Sequence, residues 1–247
     1  MIITFIGTSS CIPDIGSETA SFVINGKHLV DTGWSSVLNM KKYGLDPLKL
    51  QSVILTHLHQ DHYVGLAQLL FYIGLRGSKD TEPFRIYGPE GHLESVVNSA
   101  FSFLQAERFP ELMFEYSLFP LDPGDSFEID GLNFHTWSAK HDSGISIPEE
   151  ALSYKVIEDD TKAILVFTGD TSFHPPIAEF ARGAKVLIHD AAHTSPSDAA
   201  RIANMAQVDK LLLIHYPHSN EEKLLNEAKE IFSNTFPIND GDVLEII

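Results

Sequence analysis

The chain has 247 residues, of which 17 are Lys or Arg and 34 are Asp or Glu, so its formal net charge is −17. Apolar residues make up 43% of the sequence, which excludes a disordered chain, and no apolar run reaches the ~20 residues that a membrane span needs. The acidic balance disfavours extended nucleic-acid binding, because phosphate backbones are bound mainly by Lys and Arg. The single cysteine, Cys11, excludes an internal disulfide. We therefore expect one cytoplasmic domain spanning residues 1–247.

Strand-like and helix-like segments alternate along the chain. In the first half, the patterns predict strands at Ile2–Ile6, Ser21–Ile24, Lys27–Asp31, Ser52–Leu55 and Arg85–Tyr87, and helices at Leu38–Tyr43, Val64–Leu75 and Glu94–Gln105. A turn is expected at residues 88–91.

The second half repeats this order of strands followed by helices. It predicts strands at Leu132–Trp137, Leu152–Ile157, Ala163–Phe167, Val186–His189 and Leu211–His215, and helices at Asp198–Ala206 and Glu221–Phe232. Strands followed by helices, twice over, favour an α/β protein with a layered αββα arrangement.

The segment Thr56-His57-Leu58-His59-Gln60-Asp61-His62 directly follows a predicted buried strand. It places three imidazoles and one carboxylate within six residues, and these groups suit zinc and related divalent metals. In an extended segment His57 and His59 point the same way and can share one metal, while Asp61 and His62 can reach a second. A solvated polar loop is the alternative interpretation.

Four side chains cannot saturate two metals, so further ligands are expected at the ends of other strands. His141, Asp170 and His215 each follow an apolar run, and a carboxylate at Asp170 can bridge two cations through its two oxygens. His135 lies six residues before His141, but we prefer His141 because it sits past the end of the predicted strand.

The order HxHxDH, then His, then Gly-Asp, then His resembles the metallo-β-lactamase superfamily over nearly the whole chain. Further details resemble its ribonuclease Z-like phosphodiesterase branch. They are the opening Phe5–Ser10, the Asp-x-Gly of residues 31–33, the segment from His141 to Tyr154, and His193-Thr194-Ser195 placed 22 residues before His215. The resemblance implies a four-layer αββα sandwich in which His57, His59 and His141 bind one metal, Asp61, His62 and His215 bind the other, and Asp170 bridges. Zinc is the expected metal, with manganese or iron as substitutes because every ligand is nitrogen or oxygen.

Several more polar side chains are candidates for supporting roles. His193 is expected to protonate a leaving alkoxide or to bind a phosphate oxygen, although it could instead be a histidine at the start of a surface helix. Asp31 could orient a ligand histidine or simply occupy a turn, and His189 and Asp190 could also support the ligands. The remaining histidines, at positions 28, 92, 174 and 218, are expected on the surface.

These features predict a binuclear metal-dependent hydrolase. The interpretation that fits best is a phosphodiesterase that acts on a small, cyclic or nucleotide substrate through a hydroxide bridging the metals. Asp61 and His193 are the expected catalytic residues. A ribonuclease Z-like tRNA 3′-end endonuclease is the alternative, although the long Gly/Pro-rich arm of those enzymes has no counterpart here. A lactone or thioester hydrolase is a third candidate, and a binding protein without turnover is a fourth. We expect no membrane partner, and the sequence leaves room for a homodimer.

Overall fold

Two seven-stranded mixed sheets form the centre of the computed structural model, which describes residues 1–77, 82–141, 150–216 and 221–247. The first sheet has the order β14-β1-β2-β3-β4-β5-β6. Its strands are β1 (Ile2–Gly7), β2 (Ser21–Ile24), β3 (His28–Val30), β4 (Ser52–Ile54), β5 (Phe84–Pro89), β6 (Tyr116–Leu121) and, from the end of the chain, β14 (Val243–Glu245).

The second sheet has the order β13-β12-β11-β10-β9-β8-β7. Its strands are β7 (Ser126–Ile129), β8 (Leu132–Ser138), β9 (Leu152–Glu158), β10 (Ile164–Phe167), β11 (Val186–Asp190), β12 (Lys210–Ile214) and β13 (Thr235–Pro237). In the first sheet, β1 to β3 pair antiparallel and β3 begins a run of four parallel strands. In the second sheet, β7 to β10 pair antiparallel and β10 begins a run of four parallel strands. Because parallel strands end at one edge of their sheet, the loops that follow β4, β10 and β12 can meet.

Helices cover the outer face of each sheet. In chain order they are α1 (Ser36–Lys42), α2 (Gln60–Tyr63), α3 (Leu66–Arg76), α4 (Leu93–Phe103), α5 (Pro176–Phe180), α6 (Pro196–Ala206) and α7 (Glu221–Lys229). One apolar core lies between the sheets, where Phe5, Phe22 and Phe167 meet. A second packs α5 and α6 on the second sheet, and a third packs α1, α3 and α4 on the first. This four-layer arrangement confirms the predicted αββα sandwich.

The local predictions differ from the structure in several places, of which two bear on the polar residues and the turns. The turn expected at residues 88–91 begins two residues later in the structure, because Gly88 and Pro89 still pair with β6 as the end of β5. His28 was expected on the surface, but its side chain is fully buried, with Nδ1 3.0 Å from the Ser52 hydroxyl across the β3–β4 pair. His92 is exposed as expected, and His218 lies outside the described residues. Within the described ranges, no helix is both long enough and apolar enough to cross a bilayer.

Candidate metal centre

The HxHxDH segment forms the connection between β4 and α3. After β4 the chain stays extended through His59, whose φ and ψ of −75° and 148° mark the start of the short helix α2. His57 is fully buried, and α2 carries Asp61 and His62 back toward it, so that the His57 and His62 rings lie 4.1 Å apart between centroids. The extended stretch followed by a single helical turn therefore brings the four candidate ligands of the segment into one region.

The first group of candidate ligands joins His57 and His59 from the first sheet to His141 from the second. His141 lies three residues beyond the end of β8, and its Nε2 is 2.9 Å from His59 Nδ1. The three ring centroids are separated by 4.6 to 4.9 Å. One nitrogen from each ring can therefore face a common point, and all three candidate atoms lie within 4.8 Å of one another.

The second group joins Asp61 and His62 to His215, which directly follows β12. Asp61 Oδ2 lies 3.3 Å from His62 Nε2 and 3.5 Å from His215 Nε2. His215 has a φ of +63°, a left-handed conformation that is uncommon outside glycine and concentrated at functional sites. The His215 ring lies 5.4 Å from the ring of His62, between centroids.

Asp170 lies between the two groups. Its Oδ2 is 3.8 Å from His57 Nε2 and 3.5 Å from His62 Nε2, and its Oδ1 is 3.3 Å from His215 Nδ1. The preceding Gly169 has a φ of +59°, and a Cβ at that position would lie only 2.9 Å from Thr56 Cβ. A residue without a side chain therefore lets β10 end close against the HxHxDH segment, which brings Asp170 into position to touch both groups.

Asp31 supports two of the candidate ligand histidines at their Nδ1 atoms. Its Oδ2 lies 2.8 Å from His62 Nδ1 and accepts a 2.8 Å hydrogen bond from the Thr56 hydroxyl, which in turn lies 3.1 Å from His57 Nδ1. Carboxylate and hydroxyl acceptors at the Nδ1 atoms favour the tautomer in which each Nε2 carries a lone pair. Asp31 therefore orients both rings, and of its two sequence interpretations the supporting role fits this geometry.

Asp190, at the end of β11, holds two further histidines. Its carboxylate oxygens lie 3.1 Å from His193 Nδ1 and 3.2 Å from His215 Nδ1. The side chain of His193 is 36% exposed and its Nδ1 is also 3.5 Å from Asp170 Oδ2. His189 points away from this cluster: it is fully buried and its Nδ1 donates to the Asp190 carbonyl oxygen at 2.8 Å.

Buried charge dominates the electrostatics of the centre. Burial lowers the pKa of His57 well below its usual value. Burial also acts to lower the pKa of His215, but the Asp170 carboxylate and a hydrogen bond with Asp190 outweigh it and raise the value to about 10. The hydrogen bond with Asp190 raises the pKa of His193. Without a cation, folding therefore buries imidazoles and carboxylates together in one cluster that is shielded from water.

The donor set fits bound divalent cations. His57, His62 and His215 each have a buried Nε2 with no hydrogen-bond partner in the described part of the chain, although carboxylate oxygens lie 3.3 to 3.8 Å away. Leaving buried polar atoms unpaired is costly, and cations with nitrogen and oxygen ligands, one in each group, would satisfy all three. The geometry thus supports both ligand groups, whose assignment remains a prediction.

His135, the alternative to His141, is not part of the centre. His135 sits in the middle of β8, opposite Ser126, and belongs to none of the ligand groups found among the described residues. Cys11 is exposed. Sequence reasoning missed Thr56, the hydroxyl that links Asp31 to His57, because a lone threonine beside a histidine is too common a pattern to signal a role.

Known proteins share both the sequence pattern and the fold of this chain. Residues 27–216 match the family model described as "Beta-lactamase superfamily domain". A curated ribonuclease Z of Enterococcus faecalis is 26% identical over 311 aligned positions, covering 100% of this chain and 97% of the relative. A metallo-beta-lactamase fold protein from Bacillus subtilis, YhfI, superposes with a TM-score of 0.79 at 23% identity over 98% of both chains. The short form of human tRNase Z superposes with a TM-score of 0.79 at 22% identity over 100% of both chains.

These matches confirm the expected resemblance to the ribonuclease Z-like branch and correct one expectation. Extended nucleic-acid binding was disfavoured because of the net charge of −17. That expectation is wrong, since the relatives that align over the full chain are named ribonuclease Z and a fold neighbour is a tRNase Z. The physical reason is that net charge averages over the whole surface, whereas a substrate meets the local field of the site.

Proposed function

We propose, on the premise that this chain belongs to the metallo-β-lactamase superfamily, that it is a metal-dependent phosphodiesterase of the ribonuclease Z type, which cleaves a phosphodiester bond in RNA. The superfamily and the histidine–aspartate clusters make it a metal-dependent hydrolase. The cleavage of RNA is supported by the curated relatives, which are named ribonuclease Z and align with this chain over 97% of their own length.

One geometric observation carries the proposal. Two groups of candidate ligands, each drawn from both sheets, meet at the single carboxylate of Asp170. In this proposal the groups hold two divalent cations, with the ligands His57, His59, Asp61, His62, His141, Asp170 and His215. Two such cations supply an activated water and neutralise charge on a phosphoryl group in hydrolytic sites. We infer zinc from the ligand types, with manganese or iron as substitutes.

The remaining chemistry belongs to the side chains around this centre. His193 is half-exposed beside Asp170, and Asp190 accepts a hydrogen bond from its Nδ1, which leaves the second ring nitrogen to address a substrate. The Asp190 hydrogen bond raises the pKa of His193, which favours the protonated ring that could donate a proton to a leaving alkoxide. Asp61 contacts both His62 and His215, and in this proposal it both holds a cation and helps to orient the attacking water.

A small or cyclic phosphodiester is the second candidate substrate. The alignment with the Enterococcus relative extends over 311 positions, whereas this chain has 247 residues, so segments of that ribonuclease Z have no counterpart here. A shorter chain offers less surface to grip a folded RNA, and this observation favours a substrate that contacts little beyond the metal centre.

One set of assays separates these substrates. The metal-loaded protein should remove a 3′ extension from a precursor tRNA, and should also cleave bis(p-nitrophenyl) phosphate more slowly. Cleavage of the small ester or a cyclic nucleotide with the precursor left intact would replace the RNA proposal by the second candidate. Hydrolysis of a lactone or thioester alone would overturn both. Asp170→Ala serves as the inactive control in every arm.

A further inference from the structure

An aromatic pair lies on the outer face of the second sheet, next to the metal centre. Trp137, near the end of β8, stacks on Phe180 of α5 with ring centroids 5.5 Å apart and an interplanar angle of 21°. Phe180 is almost fully buried, whereas Trp137 is 40% exposed. One face of the indole is therefore supported by the protein, and much of the remainder faces solvent.

One cationic side chain contacts this pair, and a second cationic residue lies close to it along the chain. Lys155 on β9 places its Nζ 4.7 Å from the centroid of the Phe180 ring, on a strand that pairs directly with β8. Lys140 follows Trp137 by three residues and is exposed. Glu179 is the nearby acid, and its carboxylate is already engaged by Arg182. In a chain with a net charge of −17, an exposed indole thus lies beside one lysine and three residues before another.

The connection to the metal centre is short and fixed. Trp137 precedes the candidate ligand His141 by four residues, which can span at most about 14 Å. The intervening Lys140 is anchored to the loop that follows Asp170: its amide donates to the Thr171 hydroxyl at 3.1 Å, and its carbonyl oxygen accepts from the Ser172 amide at 2.7 Å. Trp137 therefore lies within about 14 Å of His141 along the backbone, on a stretch held against the loop that follows Asp170.

We propose that Trp137 is a stacking platform for an unpaired nucleobase of the RNA substrate, with Lys140 and Lys155 attracting the adjoining phosphates. The inference rests on the proposed ribonuclease function. Aromatic side chains on a positively charged surface are the usual means by which proteins hold single-stranded nucleic acid, since every base has a face that can stack. The supported indole loses little freedom on binding, because Phe180 already fixes its orientation.

Fluorescence tests the contact without requiring turnover. The sequence contains two tryptophans, Trp34 and Trp137, so Trp34→Phe leaves Trp137 as the sole indole. Titration of this metal-loaded variant with a single-stranded RNA hexanucleotide, whose integrity is checked afterwards, should quench its emission in a saturable, salt-sensitive way. An unchanged spectrum would overturn the platform. So would a fluorescence change that depends on protein concentration without RNA, because the surface would then be a contact between two copies of the chain.

Kinetics supply a second, independent readout. Trp137→Leu should raise the KM for an RNA substrate by about 5- to 150-fold, the range for losing one base stack, with kcat nearly unchanged. Methyl p-nitrophenyl phosphate is too small to reach the platform and should be cleaved normally. Trp34→Leu, which removes an equally exposed indole elsewhere, is the matched control. Equal KM values for the two variants on RNA would refute the platform.

The two proposals fail in different ways. If the protein cleaves no RNA, the ribonuclease proposal is wrong, and the fluorescence titration still decides whether Trp137 binds a base. If RNA is cleaved but Trp34→Phe shows no quenching and Trp137→Leu leaves the KM unchanged, only the platform is wrong. Lys140→Gln, which keeps the backbone anchors, should reduce the salt dependence of binding while quenching at low salt persists.

Discussion

Thr8 and Asp240 are 232 residues apart in the chain, yet the buried Thr8 hydroxyl donates a 2.8 Å hydrogen bond to Asp240 Oδ1. The second oxygen of Asp240 accepts the Glu18 amide at 2.7 Å, while the Thr8 carbonyl oxygen accepts the His215 amide at 2.8 Å. The segment near the end of the chain thereby fixes the loop after β1, and that loop fixes the backbone of a candidate metal ligand.

Asp240→Ala should therefore weaken the second ligand group. Removing the carboxylate leaves the Thr8 hydroxyl and the Glu18 amide without this acceptor, at a cost of about 1–3 kcal/mol. The loop that supports the left-handed conformation of His215 should loosen, and metal analysis should show loss of one ion before the other. Asp242→Asn alters an exposed acid in the same turn and is the control. Two ions retained at wild-type affinity in Asp240→Ala would contradict this role.

Asp170→Ala should disturb both ions at once. Asp170 lies 3.3 to 3.8 Å from three candidate ligand histidines, so its removal takes a ligand from each group and leaves buried imidazoles uncompensated. We expect metal content to fall from about two ions per chain and hydrolysis to be abolished. His135→Ala, on the same sheet but outside the ligand groups, should keep its metal. If His135→Ala strips metal and His141→Ala does not, the assignment of His141 is wrong.

His193→Ala should retain the fold and both ions but lose catalysis. We expect kcat to fall by roughly 10²–10⁴, the usual scale for a general acid. A p-nitrophenolate leaving group needs no proton and should be affected less than an alkyl leaving group, so the ratio of the two rates is the measurement. Equal losses on both substrates would point to phosphate binding instead, and loss of metal would make His193 a ligand.

His28 should make the fold sensitive to acid. Burial lowers its pKa from 6.5 to about 4, so the folded state binds fewer protons than the unfolded state between these values. Its contribution is complete above pH 6.5 and declines as the pH falls toward 4, by at most on the order of 3 kcal/mol. The free energy of unfolding of His28→Gln should fall less over this window than that of wild type.

An exposed histidine provides the control for the acid effect. His92→Gln should follow the wild-type curve, because His92 is exposed in the structure. Metal loss at low pH affects all three proteins alike, so the difference between curves isolates His28. Parallel curves for His28→Gln and wild type would show that His28 titrates normally.

The candidate centre was largely predictable from sequence because metal chemistry restricts residue types. His57, His59, Asp61 and His62 are unusual in combination, and His141, Asp170 and His215 each follow a predicted apolar strand, where the loops that carry functional residues begin. Thr56 was not predictable, because its role depends on a three-dimensional approach to Asp31.

Features outside the centre escaped prediction for different physical reasons. The edge strands β13 and β14 have three residues each, too few to show a period, and they form only because the core presents an open strand beside them. His28 looked like a surface residue because a histidine after a turn is usually exposed, and only its pairing with Ser52 reveals its burial. The helix predicted at Val64–Leu75 begins two residues later in the structure, at Leu66, because α2 occupies the preceding turn.

The way the candidate ligands are shared between the two sheets has a mechanical consequence. Each group takes two side chains from the first half of the chain and one from the second, His141 or His215. Cations held there would cross-link the two halves of the sandwich at one edge. Chelation should then lower the melting temperature and increase hydrogen exchange mainly along that edge, where the halves could part first, while the opposite edge keeps its protection.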